Sequence, residues 1–165
     1  MDRGQFRRAG QDLTVSHIPY GRQDVRADDI DAVVAVLRSD WLTQGPTVPR
    51  FEAALAGYCG AGHAVAVNSA TSALHIACLA LGLGRGDRLW TSPNTFVASA
   101  NCGLYCGAEV DFVDIDPRTY NMSVDCLAAK LERAEAEGRL PKVVVPVHFG
   151  GQSCDMQRIL SLIHI

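Results

Sequence analysis

From residue 63 onward, short apolar segments typical of β-strands alternate with segments of helical periodicity. Each apolar segment is too short for a helix and is followed by glycine, proline or hydroxyl residues. The predicted strands are 63–67, 88–92, 109–115 and 142–148, and the predicted helices are 71–83, 96–107 and a helix capped by Ser123 that ends at Gly138. Repeats of this kind predict an α/β fold with a mostly parallel sheet flanked by helices.

Two further helices are predicted before the first strand. Apolar residues recur with i, i+3, i+4 and i+7 spacing between Ile30 and Leu37, and a second apolar stripe runs from Phe51 to Tyr58. The segment 39–49 between them contains one glycine and two prolines, which predicts a loop. No shift in composition after residue 20 indicates a domain boundary.

Composition excludes several classes of protein. The chain has 165 residues, of which 48% are hydrophobic, and this is enough apolar material for one core. A formal net charge of −3 disfavours nucleic acid or an anionic membrane as the main partner, and no apolar run is long enough to span a bilayer. Residues 1–17 lack the apolar region of a secretory signal, and six cysteines form no CxxC pair. These features predict a cytoplasmic protein with free thiols and no metal site.

Small and hydroxyl-bearing residues occupy the junction between the predicted strand 63–67 and the helix that follows it. Asn68, Ser69, Thr71 and Ser72 lie where a helix would begin, beside the small residue Ala70. The first N–H groups of a helix have no internal partners and favour an anion, so this junction is a candidate phosphate site. The alternative is that Ser69 or Thr71 is only an N-cap, which is the commoner use of such residues.

Six segments carry a family resemblance, and they are IPYGRQ (18–23), WLTQGP (41–46), VAVNSATSALHIA (65–77), TSPNTFVASAN (91–101), GAEVDFVDIDPRTYNM (107–122) and PVHFGGQSCDM (146–156). Together they resemble the DegT-like nucleotide-sugar aminotransferases, which are fold type I enzymes that use pyridoxal 5′-phosphate (PLP). The resemblance implies that residues 18–159 are the N-terminal part of the large PLP-binding domain. It also implies a homodimer when the protein is full length.

The resemblance assigns three residues to the cofactor. Ala70 and Thr71 fall where the family grips the PLP phosphate, and Phe96 falls where an aromatic ring stacks on the pyridine. From the sequence pattern alone, Phe96 would instead be a core residue at the start of a helix.

Four residues match segments that line the sugar-nucleotide site of the family. They are Tyr20, Trp41, Leu42 and Thr43, for which packing within a loop is the alternative. His148 ends a predicted strand at the edge where ligands bind, so it either faces the active site or is a satisfied histidine at a strand end. No catalytic role is assigned to it.

The family also needs a Schiff-base lysine and a carboxylate that pairs with the pyridine nitrogen. Lys130 and Lys142 match neither the motif nor the position of that lysine, which we expect to lie beyond residue 165. The chain is therefore expected to be an inactive fragment with a polar tail at 1–17. Residues 160–165 are expected to be a truncated or foreign tail.

The implied reaction is amino transfer, with glutamate as the expected donor, to the keto carbon of a UDP-linked 4-keto-6-deoxy-HexNAc, as in pseudaminic acid biosynthesis. Two alternative functions stay open. Relatives with the same fold are PLP-dependent sugar dehydratases that have histidine at the lysine position. A non-catalytic phosphate-binding module built from β–α–β units is the other alternative.

Overall fold

The computed structural model describes residues 21–163, which divide into two compact units after Ala64. The first unit contains helices α1 (Ala27–Leu37) and α2 (Thr47–Cys59). The backbone N–H of Arg26 donates to the Asp29 carboxylate at 2.9 Å, which satisfies a donor at the start of α1. No residue of 21–64 is buried within the described chain.

The second unit, residues 65–163, alternates helices with short strands and has the predicted α/β fold. In chain order its elements are α3 (Ala70–Ala80), β1 (Arg88–Thr91), α4 (Ala98–Tyr105), β2 (Glu109–Phe112), α5 (Val124–Ala136), β3 (Val143–Val145), a 3-10 turn (Phe149–Gly151) and α6 (Met156–Ile163). The predicted cap of α5 is confirmed, because Ser123 Oγ accepts a hydrogen bond from the N–H of Cys126 at 3.2 Å. None of the helices in residues 21–163 is long and apolar enough to cross a membrane.

The three strands form a parallel sheet in the order β2-β1-β3, so β1 is central. Alternate side chains of a strand point to opposite faces, which sends Leu89 to one face and Trp90 to the other. Leu89 packs in a core with Cys78 of α3 and Cys102 of α4. Trp90 packs in a second core with Leu127 of α5. The sheet is therefore covered by helices on both faces.

Close packing of α4 on the sheet depends on one glycine. A Cβ atom added at Gly103 would lie 2.9 Å from Val110 Cγ2 and 3.1 Å from Leu89 Cβ. Both neighbours belong to the sheet, and neither is the far end of a flexible side chain. The small residue at this position lets the helix backbone approach β1 and β2 directly.

The predicted strand at 63–67 is wrong, because the structure assigns no strand to that segment and Val65 is exposed. A strand needs a hydrogen-bonding neighbour, and β2 and β3 are the two edges of the sheet described here. The prediction for 142–148 was too long, since β3 ends at Val145, before Pro146, which has no N–H to donate. The strand predicted at 109–115 likewise ends at Phe112.

Candidate functional site

The beginning of α3 is the candidate anion site. Ser69 has an extended backbone, and its Oγ accepts a hydrogen bond from the N–H of Ser72 at 3.2 Å. Its carbonyl accepts from the N–H of Ala73 at 3.0 Å. Within the described chain, the N–H groups of Ala70 and Thr71 have no hydrogen-bond partner. Ser69 is therefore an N-cap, as the alternative interpretation of this junction predicts. The capped helix still has two N–H donors available.

Polar side chains beside this turn hold one another in place. Ser72 Oγ donates to Asn68 Oδ1 at 2.8 Å and lies 3.1 Å from Ser69 Oγ. This chain of hydrogen bonds fixes the rotamers of three residues around the first turn of α3. The Thr71 hydroxyl takes no part in it, and its side chain is half-buried. Thr71 therefore combines a free backbone donor with a hydroxyl donor.

The carboxyl end of β1 is the second part of the candidate site, because ligands of parallel sheets bind where strands end and helices begin. Ser92, just after β1, is buried, and its Oγ has no hydrogen-bond partner among the described residues. Phe96 follows four residues later with 75% of its surface exposed. The structure thus contradicts the interpretation of Phe96 as a core residue and leaves its ring available for stacking.

The residues predicted to bind the sugar nucleotide belong to the first unit. Trp41 and Leu42 are exposed within the loop between α1 and α2, and so is Thr43. The backbone N–H of Trp41 donates to Ser39 Oγ at 3.2 Å. A Cβ atom at Gly45 would lie only 2.6 Å from Trp41 Cβ, so this loop closes tightly. Tyr20 lies outside the described residues.

Sequence reasoning missed Asn121, which braces the loop after β3. Its side chain is 4% exposed, and Nδ2 donates to the carbonyls of Gln152 and Ser153, both at 3.0 Å. Asn121 Oδ1 accepts from the N–H of Phe149 at 2.9 Å. A single buried amide thus fixes three backbone groups. Its position in a turn gave no periodic signal from which this role could be predicted.

His148 and the two lysines have structural partners. His148 Nδ1 accepts a hydrogen bond from the N–H of Cys154 at 3.1 Å, which supports the interpretation as a satisfied histidine. Lys130 pairs with Asp111 at 2.6 Å, and Lys142 pairs with Asp87 at 3.0 Å. Each lysine also donates to a backbone carbonyl, of Phe112 or Gly82, at 2.6 Å. These contacts agree with leaving both lysines out of the catalytic machinery.

The turn after β2 contains the carboxylate with the largest pKa shift among the described acids. The Arg118 guanidinium donates to Asp116 Oδ2 at 2.8 Å, and the N–H of Arg118 donates to Oδ1 at the same distance. These bonds stabilise the ionised form and lower the pKa of Asp116 from 3.8 to about 2. The contribution of this carboxylate to stability is complete above pH 3.8 and is lost as the pH falls towards 2.

Arg118→Gln is expected to raise the pKa of Asp116 towards 3.8, because the side-chain bond from the guanidinium is the largest cause of the shift. A carbon-13 NMR titration of the carboxyl carbon would measure it. Asp87 is the internal control, because its pKa is lowered by Lys142 and should not change in the variant. An Asp116 pKa that stays near 2 in the variant would contradict this explanation.

Known proteins are similar to this chain along most of its length. The model of the DegT/DnrJ/EryC1/StrS aminotransferase family matches residues 23–164. The spore coat polysaccharide biosynthesis protein SpsC of Bacillus subtilis is 46% identical over 88% of this chain and 36% of its own length. GDP-perosamine synthase of Caulobacter vibrioides is 43% identical over 80% of this chain and 34% of its own length. The chain thus spans about a third of the length of these relatives.

A solved structure extends the likeness to three dimensions. The PLP form of the Streptococcus pneumoniae protein Spr1654 superposes with a TM-score of 0.78 at 31% identity, covering 89% of this chain and 36% of that one. The helix-covered parallel sheet seen here is therefore also the fold of the matching part of that solved protein. Because this family model matches most of the 165 residues, the chain belongs to the DegT/DnrJ/EryC1/StrS aminotransferase family.

Proposed function

We propose that the complete product of this gene is a PLP-dependent sugar aminotransferase and that residues 18–159 are part of its cofactor-binding domain. The observation that carries the proposal is the first turn of α3, where two N–H groups and the Thr71 hydroxyl have no partner among the described residues. Membership of an aminotransferase family supports it, as does the likeness to a relative solved in its PLP form.

The residues at the beginning of α3 and those just after β1 suit the cofactor chemically. The phosphate of PLP is an anion, and it gains from the free N–H groups of Ala70 and Thr71 and from the positive end of the helix dipole. The buried, unpartnered Oγ of Ser92 offers a further donor at the carboxyl end of β1, where ligands of parallel sheets bind. The exposed ring of Phe96 suits stacking on a flat pyridine.

The substrate part of the proposal rests on the family resemblance. Trp41, Leu42 and Thr43, together with Tyr20, would contact a UDP-linked 4-keto-6-deoxy-HexNAc of the kind used to make pseudaminic acid. The exposed indole of Trp41 suits stacking on a base or sugar ring. Glutamate is the proposed amino donor.

PLP supplies an electron sink through which an amino group can leave an amino acid and join a keto carbon. The lysine that carries the cofactor is proposed to lie outside residues 1–165, since both lysines of this chain are engaged with carboxylates. The working enzyme is proposed to be a cytoplasmic homodimer.

The test measures PLP binding to the complete product of the gene, and the readout is the visible absorbance of the bound cofactor. Thr71→Ala is expected to weaken PLP binding about tenfold, because it removes one hydrogen bond to a charged group. Thr47→Ala is the matched control, since Thr47 also lies in the first turn of a helix but is not proposed to contact the cofactor. Equal effects of the two substitutions would contradict the assignment of Thr71.

Borohydride treatment distinguishes the remaining functions. A reduced PLP adduct on one lysine, located by peptide mass spectrometry, together with amination of the 4-keto sugar, would support the aminotransferase. Bound PLP without a lysine adduct would favour the dehydratase. A complete product that does not bind PLP would overturn the proposal and favour a phosphate-binding module.

A further inference from the structure

His148, in the loop after β3, has a hydrogen bond on only one of its two ring nitrogens. Its Nδ1 atom accepts from the N–H of Cys154 at 3.1 Å. A ring nitrogen that accepts a hydrogen bond carries no proton, so the neutral ring carries its proton on Nε2. Within the described chain Nε2 has no hydrogen-bond partner, and the residue is exposed. The contact with Cys154 therefore leaves an N–H donor that a ligand can reach.

His148 lies at the same edge of the sheet as the part of the candidate site that follows β1. The two strands are parallel, and Thr91 at the end of β1 is aligned with Val145 at the end of β3. Thr91 Oγ1 also donates to the carbonyl of Val145 at 2.9 Å, which joins the two strand ends. From these ends the chain continues to Ser92 after β1 and to His148 after β3. Both residues therefore follow the carboxyl edge, where ligands of parallel sheets bind.

The loop that contains His148 is fixed by hydrogen bonds from buried side chains. Asn121 bonds to three of its backbone groups, as described above. Cys154, whose N–H orients the imidazole, is itself buried, and its thiol donates to the carbonyl of Val147 at 3.1 Å. A donor that is held in place before binding loses little conformational entropy when a ligand arrives. The Nε2 donor is thus preorganised at the ligand-binding edge of the sheet.

We propose that His148 is a cofactor-binding residue, which donates a hydrogen bond from Nε2 to the ring hydroxyl oxygen of PLP. This inference rests on the proposed function and adds a residue to it. The proposed function already assigns the phosphate to the beginning of α3, and the aldehyde carbon of PLP is the atom that a lysine engages. The ring hydroxyl is the remaining oxygen group of the cofactor that can accept a hydrogen bond.

Two substitutions separate the roles of the two ring nitrogens. In His148→Asn the amide oxygen can still accept from the N–H of Cys154, but no donor remains at the position of Nε2. In His148→Gln the longer amide can donate near that position, but the acceptor for Cys154 is lost. In the complete product of the gene, we expect His148→Asn to weaken PLP binding about tenfold and His148→Gln to weaken it less than about threefold.

Amide hydrogen exchange at Cys154 gives a structural readout for the same two variants. The exchange should stay slow in His148→Asn and become faster in His148→Gln, which is the reverse of their order in PLP affinity. His63→Asn is the matched control, because His63 is exposed and no hydrogen bond of its side chain is found among the described residues. Its PLP affinity should equal that of the unchanged protein.

Nitrogen-15 NMR of the histidine-labelled complete product locates the ring proton directly. Without PLP, the spectrum should show His148 protonated on Nε2, and this resonance, assigned by its loss in His148→Asn, should shift as PLP saturates the protein. An unchanged PLP affinity in His148→Asn, or an Nε2 resonance that PLP does not shift, would overturn the inference and leave the proposed function standing. A complete product that does not bind PLP would overturn both.

Discussion

Replacing Leu127 with alanine is expected to lower the free energy of unfolding by about 3 kcal/mol. Leu127 is fully buried in the core between α5, α6 and the sheet, where it packs with Trp90, Val113 and Ile159. The substitution removes three carbon atoms from this core and leaves a cavity that the short surrounding elements cannot fill. Urea unfolding of the complete gene product, followed by circular dichroism, would measure the loss.

Leu140→Ala is the matched control, because it deletes the same atoms from a side chain that is 47% exposed in the turn after α5. Its cost is expected to be below about 1 kcal/mol. Similar losses for the two variants would mean that the α5 face of the sheet is not a packed core.

Asn121→Ala is expected to cost about 2–3 kcal/mol, because it leaves two carbonyls and one N–H without their partner. Those groups belong to Gln152, Ser153 and Phe149, in the loop that follows β3. The same change should speed amide hydrogen exchange at Phe149, which loses its only described acceptor. Thermal unfolding and exchange measured by NMR would test the two effects together.

Asn101→Ala serves as the control for Asn121→Ala. Asn101 lies within α4, and no hydrogen bond of its side chain is found in the described chain. Alanine also has the higher helix propensity, so the expected change is within about 0.5 kcal/mol. If Asn121→Ala proves equally neutral, the loop after β3 is held by other contacts.

The helices and the beginning of α3 could be predicted from local sequence. Ser69 and Ser123 cap helices through bonds to residues three positions later, so their signal lies within one helical turn. The segment 63–67 also has a local signal, because its valines alternate with other residues as they would in a half-buried strand. It is nevertheless not a strand here. Strand formation depends on pairing with a neighbouring strand, and the local sequence does not show which segment that is.

The brace at Asn121 could not be predicted from sequence. Asn121 bonds to carbonyls 31 and 32 residues away, so the brace arises from tertiary packing and leaves no periodic trace along the chain. The assignment of Ala70, Thr71 and Phe96 to a cofactor likewise came from family resemblance, because spacing alone favoured a simple cap and a core ring.

The central position of β1 has a consequence for the order in which the chain can fold. Thr91 Oγ1 donates to the carbonyl of Val145 across 54 positions of sequence, so one side of β1 stays unpaired until β3 has been synthesised. Contacts of such long range slow folding and leave strand edges open to other chains. During translation, therefore, the nascent chain exposes the row of hydrogen-bonding groups on β1 that β3 later covers. A ribosome stalled before residue 143 should hold a species that needs a chaperone.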